Sequence, residues 1–469
     1  MMSALGQKQT CAIEADRLFD HFVDPGHACH TDVSLQVINL EVDMPQMCPL
    51  RRYSPGMNER FFADLSAWLT QAGLAGTPET DIFSVFCDRC VAAGIRLGRA
   101  HSFIDTLDPV YEGRLFRWGY SPDESGVVEY GRTTLGKLDA AGSATLDEQA
   151  ASVWRRSAHY TMLQTGASLL RRRLNSNTKD EFSLLLDWRA AGMTDYLAII
   201  SRFAASGIIG EMDGFYSSWA TRSPGGFSDA EIAALERLAP YLALAIKSVS
   251  LARMTGTLME TYLGRDAGQR VLGGRILRGV ADRIEAVLWF SDLRGFTRIT
   301  DTAPEQAIPL LNDYADVIVS EIHEHGGDVL KLIGDGTLAI FTADERTHAC
   351  TAAMSAAIGA RKSIAALNER RLAEGQPATD MYLGLHVGDV FYGNIGSHER
   401  LDFTVIGPAV NEVSRIAAMC RSVDQPVLMS AAFVGVEAVR QKVVSVGRYA
   451  LRGVSEPQEL FTFDPSLLS

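Results

Sequence analysis

Between residues 286 and 341 the hydrophobic and polar positions fall into blocks that read as strand, helix, strand, strand. The run AVLWF is short and wholly apolar, as a buried strand is, and it ends in Ser291-Asp292 and a glycine turn. In the next block, TAPEQAIPLLNDYADVIVSEIHEHGG, Ile308, Leu311, Tyr314, Ile318 and Ile322 recur at helical spacing. Thr302 and Glu305 around Pro304 read as its cap. DVLKLIG and TLAIF give two further strands, joined by Gly334-Asp335-Gly336.

Upstream the pattern is looser. Residues 61–250 mix helical stretches (ERFFADLSAWLTQAG, DIFSVFCDRCVAAGIRLGRA, LDEQAASVWRRSAHYTMLQTGASLLRRRL) with short strand candidates (GRLFRWGYS, DYLAIISRF, DGFYSSWAT), an α+β region. It closes on a long amphipathic helix that a Ser228/Glu231 capping box opens and that Ile232, Leu235, Leu238, Leu242 and Ile246 stripe. Residues 251–283 continue as a helical connector that loosens at Gly273-Gly274; such a segment transmits torque if it packs on its own copy, and is otherwise a spacer. Residues 1–60, with one strand-like run VSLQVINLEV, form an N-terminal extension, and residues 284–469 a separate domain.

At 469 residues, 47% hydrophobic and 22% charged, the chain is ordinary globular material in two or three domains. A formal charge of -13 argues against a broad surface for nucleic acid or anionic membrane. A polyanionic ligand would need local cations or metal. The N-terminus has no apolar signal core and no apolar run reaches membrane-spanning length, so a soluble cytoplasmic protein is expected. The seven cysteines are scattered and odd in number, which is not a disulfide framework. Cys87 and Cys90 form a CxxC without a second pair, and read as buried helix positions rather than a zinc or redox site. His27, Cys29 and His30, with Cys48, read as solvated loop residues before they read as metal ligands.

The chemistry starts from the carboxylate at the end of a buried strand, which is costly unless something positive binds it. Adjacent strands of a βαββ unit bring Asp292 beside the Asp335 turn, and two such oxygens favour Mg²⁺ or Mn²⁺. The backbone amides of Gly295, Phe296 and Thr297, where the turn leads into helix, can cradle a phosphate. Further on, VNEVSRIAAM carries Asn411 and Arg415 four residues apart on one helical face, a neutral amide and a planar cation suited to charge developing on a phosphoryl group.

FSDLRGFT, LKLIGDGTLAIF, GLHVGDVFYGNIGS and LDFTVIGPAVNEVSR, in this order, resemble the catalytic domain of the class III adenylate and guanylate cyclases over about residues 284 to 465. The resemblance implies a ferredoxin-like βαββαβ core and a head-to-tail homodimer with active sites at the subunit interface. It implies conversion of a nucleoside triphosphate to its 3',5'-cyclic monophosphate and pyrophosphate with two divalent ions, Mg²⁺ or Mn²⁺. By motif, Asp292, Asp335 and the Leu293 carbonyl match the metal ligands, Lys331 and Thr404 the base-reading positions, Asn411 and Arg415 the ribose and transition-state pair, and Arg452 the residue on the terminal phosphates. The metal aspartates of one protomer are then expected to work with Lys331, Thr404, Asn411 and Arg415 of the other. His323, His325, His386 and His398 fall on no matched position.

Adenine fits this pair: the Lys331 ammonium has only donors, for N1, and the Thr404 hydroxyl accepts from the N6 amine. Guanylate cyclases resembling this domain tend to carry Glu and Cys there. Thr404 departs from the commoner Asp and is similar to the subgroup that includes bicarbonate-responsive enzymes. The long helix opening at Ser228 resembles the end of a GAF-type sensory domain. The expectation is an adenylate cyclase acting on ATP, governed by an upstream sensor of an unidentified signal; the alternatives are a guanylate or relaxed-purine cyclase, or a silent nucleotide-binding module.

Overall fold

The computed structural model describes residues 59–121, 123–131, 154–174, 182–203, 210, 212–452 and 456–465. The extension up to residue 58, with His27, Cys29, His30, Cys48 and the VSLQVINLEV run, lies outside the described residues.

The upstream region is an antiparallel sheet with helices on both faces. Its elements are α1 (Glu59–Ala75), α2 (Glu79–Ala92), β1 (Arg99–Asp105), β2 (Tyr111–Trp118), β3 (Val127–Gly131), α3 (Ala158–Thr165), β4 (Leu169–Arg173), α4 (Ser183–Ala190), β5 (Asp195–Arg202), β6 (Gly214–Thr221) and α5 (Asp229–Leu263). The strands lie in the order β3-β2-β1-β6-β5-β4. Alternation sends Ala100, Ile104, Phe116, Leu197 and Trp219 to the face covered by α1, α2 and α5, and Tyr196, Ala198, Ile200 and Tyr216 to the face of α3 and α4. The Ser228 capping box forms as expected, Ser228 accepting from the Glu231 amide and Glu231 from the Ser228 amide.

Two helical readings shorten. Around AHYTMLQT the helix stops at Gly166, whose left-handed backbone (φ 76°) ends it, and LLRRR pairs with β5 as strand β4. The helix holding Cys87 and Cys90 ends at Ala92; of its supposed tail, residues 93–98 turn the chain and Arg99 and Ala100 open β1. Both thiols are buried, and burial pushes each of them well up. They are inert packing groups.

The connector is also not one helix. α5 ends at Leu263, Gly264 turns the chain (φ 91°), and a short α6 (Arg265–Leu272) follows. A side chain at Gly264 would meet the Val329 carbonyl at 2.4 Å, so the joint requires glycine. Asp328 caps α6, accepting from the amides of Arg265 and Asp266 at 3.2 Å each.

The downstream region runs β7 (Ala281–Leu293), α7 (Phe296–Thr302), α8 (Ala307–Glu324), β8 (Asp328–Ile333), β9 (Gly336–Phe341), α9 (Arg346–Ala373), β10 (Met381–Gly396), β11 (Leu401–Ile406), α10 (Pro408–Val423), β12 (Val427–Ser430), α11 (Ala431–Val434), α12 (Glu437–Arg440), β13 (Val443–Tyr449) and β14 (Gln458–Phe463). Within its sheet the order β10-β7-β9-β8 is that of a βαββαβ unit with the first strand central; β12, β14 and β13 extend it, and β11 pairs with β10. Helices α8 and α9 cover one face, while α6 and α10 cover the other. Leu310, Tyr314, Ile318 and Ile322 anchor α8, each burial favourable by roughly 1.5–3 kcal/mol.

The start of α8 differs from the sequence reading. Ala303, ahead of Pro304, leaves the helical region (φ -146°, ψ 65°), so α7 ends and a 3₁₀ turn at Pro304–Gln306 intervenes. Thr302 donates to the Arg298 carbonyl instead of capping, α8 begins without a side-chain cap, and Ile308 is 70% exposed while Leu310 takes the core position. No helix among the described residues is long and apolar enough to cross a membrane.

Candidate active site

β7 is buried along Ala286–Trp289 because it is the central strand, flanked by β10 and β9. Its register sets Asp292 opposite Tyr382 and Ser291 opposite Thr337. The β8–β9 turn then closes over the strand end. A Cβ at Gly336 would lie 3.0 Å from the Ser291 carbonyl and 4.0 Å from the Asp292 Cβ, so the turn packs closely on the strand end and Asp335 acts on Asp292.

The electrostatics follow from that approach. Burial raises the Asp292 carboxyl to about 6, the Asp335 charge adds to the rise, and Arg421 opposes it. Asp292 Oδ1 is buried with no hydrogen-bond partner. A buried carboxylate oxygen with a like charge beside it and no donor fits a hard divalent cation. Leu293, itself buried, follows directly and ends the strand opposite Met381. Among the described residues no group of three or more His, Cys, Asp or Glu forms a metal cluster, so two carboxylates and backbone or substrate oxygens would make up the ligand set.

Gly295 is the left-handed cap residue (φ 68°) of α7. The first intrahelical bond is the one Arg298 donates to the Gly295 carbonyl at 3.1 Å, so the amides of Gly295, Phe296 and Thr297 precede the helical ladder.

A second group gathers around β8 and β11. Lys331 donates to Asp402, and both side chains are more than a third exposed. Asp402 and Thr404 are alternate residues of β11 and share a face, with Thr404 opposite Gly393. Asn411, exposed, and Arg415, half-buried, share a face of α10. The other face of α10, from Ala409 and Val413 to Cys420, packs on the sheet, and Cys420 donates its thiol to the Leu383 carbonyl at 3.4 Å. Arg452 is exposed in the segment between β13 and β14.

The structure thus joins Asp292 to Asp335, and Lys331 through Asp402 to the strand of Thr404. The α10 residues that act on Asp292 are Cys420 and Arg421. Asn411 is nine residues from Cys420, and at about 100° per residue the two stand on opposite sides of the helix.

Two residues were missed in the sequence. Asp402 was signalled only by its two-residue offset from Thr404, and Arg421 by nothing local, since only the packing of α10 beneath β7 brings it to Asp292. His386 lies buried under α10, with Nδ1 2.9 Å from Ser430 Oγ and 3.7 Å from Glu412. Serine and carboxylate meet the same ring nitrogen, which excludes a Ser-His-acid relay, where they must occupy opposite ones.

Residues 281–464 match the adenylate and guanylate cyclase catalytic domain, and this part of the chain carries that domain. An uncharacterized protein of Mycobacterium tuberculosis is 35% identical over 175 residues, covering 37% of this chain and 29% of the relative. The chain spans about a third of the length of the curated relatives it matches. Similar solved structures include the adenylyl cyclase CyaB from P. aeruginosa, at 25% identity over 39% of this chain and 96% of that chain with a TM-score of 0.37. Another is the guanylyl cyclase Cya2, at 27% identity over 39% and 92% with a TM-score of 0.34.

Proposed function

We propose that the chain is an adenylate cyclase that converts ATP to 3',5'-cyclic AMP and pyrophosphate, with residues 61–250 as a GAF-like regulatory domain behind the extension 1–60, and 251–283 as the link to the catalytic domain at 284–469. The observation that carries this reading is the pair Asp292 and Asp335, converged at the end of the central strand with an oxygen left without a donor. The upstream antiparallel sheet, with its first and last helices on one face, supports the regulatory assignment.

Asp292, Asp335 and the Leu293 carbonyl hold the divalent ions, Mg²⁺ or Mn²⁺. Bound there, the ions supply positive charge to the ribose 3'-hydroxyl and the triphosphate. The 3'-oxygen attacks the α-phosphorus in line, its proton passes to water, and the bond to the pyrophosphate oxygen breaks. Lys331, kept extended by Asp402, donates to adenine N1, and Thr404 accepts from N6. Asn411 orients the ribose and Arg415 gives its planar donors to the charge on phosphorus. Arg452 and the amides of Gly295, Phe296 and Thr297 receive the phosphates.

These roles need two chains. With Asn411 on the side of α10 away from Asp292, one chain carries both halves of the site and completes neither. Leu332, Ile333, Phe391, Leu401 and Ile406, all exposed on the strands that carry or neighbour Lys331 and Thr404, supply apolar surface for a partner.

Incubating the purified chain with ATP, GTP or both, with Mg²⁺ or Mn²⁺, and separating the products tests the reading. Cyclic AMP formed in preference to cyclic GMP supports it. Equal turnover supports a relaxed-purine cyclase, which the donor-and-acceptor hydroxyl of Thr404 favours as the second reading. No cyclic product from either nucleotide overturns both.

A further inference from the structure

The connection from α9 into β10 is held along residues 377–380 by side chains of two helices. Arg371 of α9, 1% exposed, donates through Nε to the Pro377 carbonyl at 2.8 Å and pairs with Asp313 of α8. The Thr379 amide donates to the Tyr314 hydroxyl at 2.7 Å, and the Thr379 carbonyl accepts from the Asn368 side-chain amide at 2.7 Å. One carboxylate oxygen of Asp380 accepts from both Arg361 and the Met381 amide. Ordering so many long side chains costs entropy that a plain surface connection has no reason to spend.

These grips converge on one residue across the sheet. Arg294, at the exit of β7, donates its amide to the Asp380 carbonyl at 2.7 Å, and its own carbonyl accepts from the Thr379 hydroxyl. A regular antiparallel pair exchanges both bonds through backbone groups. Here a side chain supplies the second bond, so the hold on Arg294 depends on which residue stands at 379. Arg294 joins the two parts of the candidate site. Asp292 lies two residues before it, in register with Tyr382, and Gly295, the left-handed residue that opens the amide cradle, directly follows.

We propose that Thr379 is a positioning residue for phosphoryl transfer. Its backbone is fixed to α8 and α9, and its hydroxyl fixes Arg294, which sets the span between the Asp292 carboxylate and the amides of Gly295, Phe296 and Thr297. The inference rests on the proposed reading of those groups as the holders of divalent ion and phosphates. A phosphate oxygen shared by the ion and the cradle tolerates little error in that span, because its ligands reach it from both sides at once. Without the hydroxyl, the Arg294 carbonyl turns to water and the residue is held to this connection through its amide alone.

Thr379→Val keeps the shape of the side chain and removes the donor, while Thr379→Ser keeps the donor. Each, in the full chain, is titrated by calorimetry with the Mn²⁺ complex of inorganic tripolyphosphate and assayed with ATP. The expected result for Thr379→Val is an affinity for the complex about fivefold weaker and a kcat about five- to tenfold lower, the effect of one hydrogen bond acting on the geometry of transfer. Thr379→Ser should restore both to within about twofold of the unsubstituted chain. Tyr314→Phe, which takes away the acceptor of the Thr379 amide, should weaken the same binding about two- to threefold. Unchanged affinity and kcat in Thr379→Val overturn the proposal. So does an equal loss in Thr379→Ser, which marks packing by the methyl group rather than the hydroxyl bond. An unsubstituted chain that binds the complex yet makes no cyclic nucleotide refutes the proposed activity, and the affinity comparison alone then decides the role of Thr379. One that binds no complex overturns both readings.

Discussion

The upstream region and the catalytic domain both bury carboxylates, and they treat them oppositely. Upstream, fully buried Asp195 accepts from Arg171 and from the Phe227 amide, and Glu79 pairs with Arg114 and Arg253. Glu231 is raised by burial, yet bonds from Arg96 and the Ser228 and Arg96 amides override this and bring it down to about 2. In the catalytic domain, burial and Asp335 drive Asp292 up to about 6 and one of its oxygens has no donor. A buried charge that its own fold satisfies is structural; one that it leaves unsatisfied marks where something else binds.

The sharpest way to break this comparison is to delete one charge of each kind. Asp292→Ala should cut cyclisation by about a hundred- to a thousandfold or more while the chain still folds and self-associates; normal turnover with normal metal dependence would contradict the site. Asp195→Ala should leave intrinsic chemistry in place but cost about 3 kcal/mol, because Arg171 loses its partner, and denaturant melts measure that loss. Mixing Asp292→Ala chains with Arg415→Ala chains should restore up to about a quarter of wild-type activity, since random pairing gives half heterodimers with one intact site each. Recovery of none would count against a composite site.

The pH dependence sharpens the same contrast. Glu231 is depressed below its ordinary 4.5, so its contribution to stability is full above that value and is lost as pH falls towards about 2. Asp292 is raised from 3.8 to about 6, so the unfolded chain ionises first and stability falls as pH rises through that interval. A divalent cation must displace the Asp292 proton below about pH 6. The rise in Tm on adding Mn²⁺ should therefore be largest above pH 6 and shrink below it, and a pH-independent rise would place the metal elsewhere. The smallest expected effect is on base choice. Asp402→Asn, which frees Lys331, should raise the KM for ATP by up to about fivefold with little change in kcat, since an ion pair this exposed is worth at most about 1 kcal/mol.

Legibility in the sequence divides along the same line. The βαββ start, both aspartates and the Asn411/Arg415 spacing are visible because strand-end turns, glycines and helical spacing fix them locally, whereas Lys331 and Thr404 come from the resemblance alone. The Ser228 cap is visible too, as a local bond between neighbours. The phase of α8 was not legible, because AIPLL offers either Ile308 or Leu310 to the core and the 3₁₀ turn at Pro304 decides between them. The strand character of LLRRR depended on pairing with β5, and the roles of Asp402 and Arg421 on partners in distant elements.

The joint at Gly264 has a mechanical consequence. Its glycine admits no side chain against the Val329 carbonyl, and Asp328 ties the next helix to the strand on which Lys331 sits three residues later. On the proposed assignment of Lys331 to the base, movement arriving along the long helix would reach, through Asp328, the strand that holds substrate, so the first quantity it would alter is how firmly substrate is held rather than how fast it reacts.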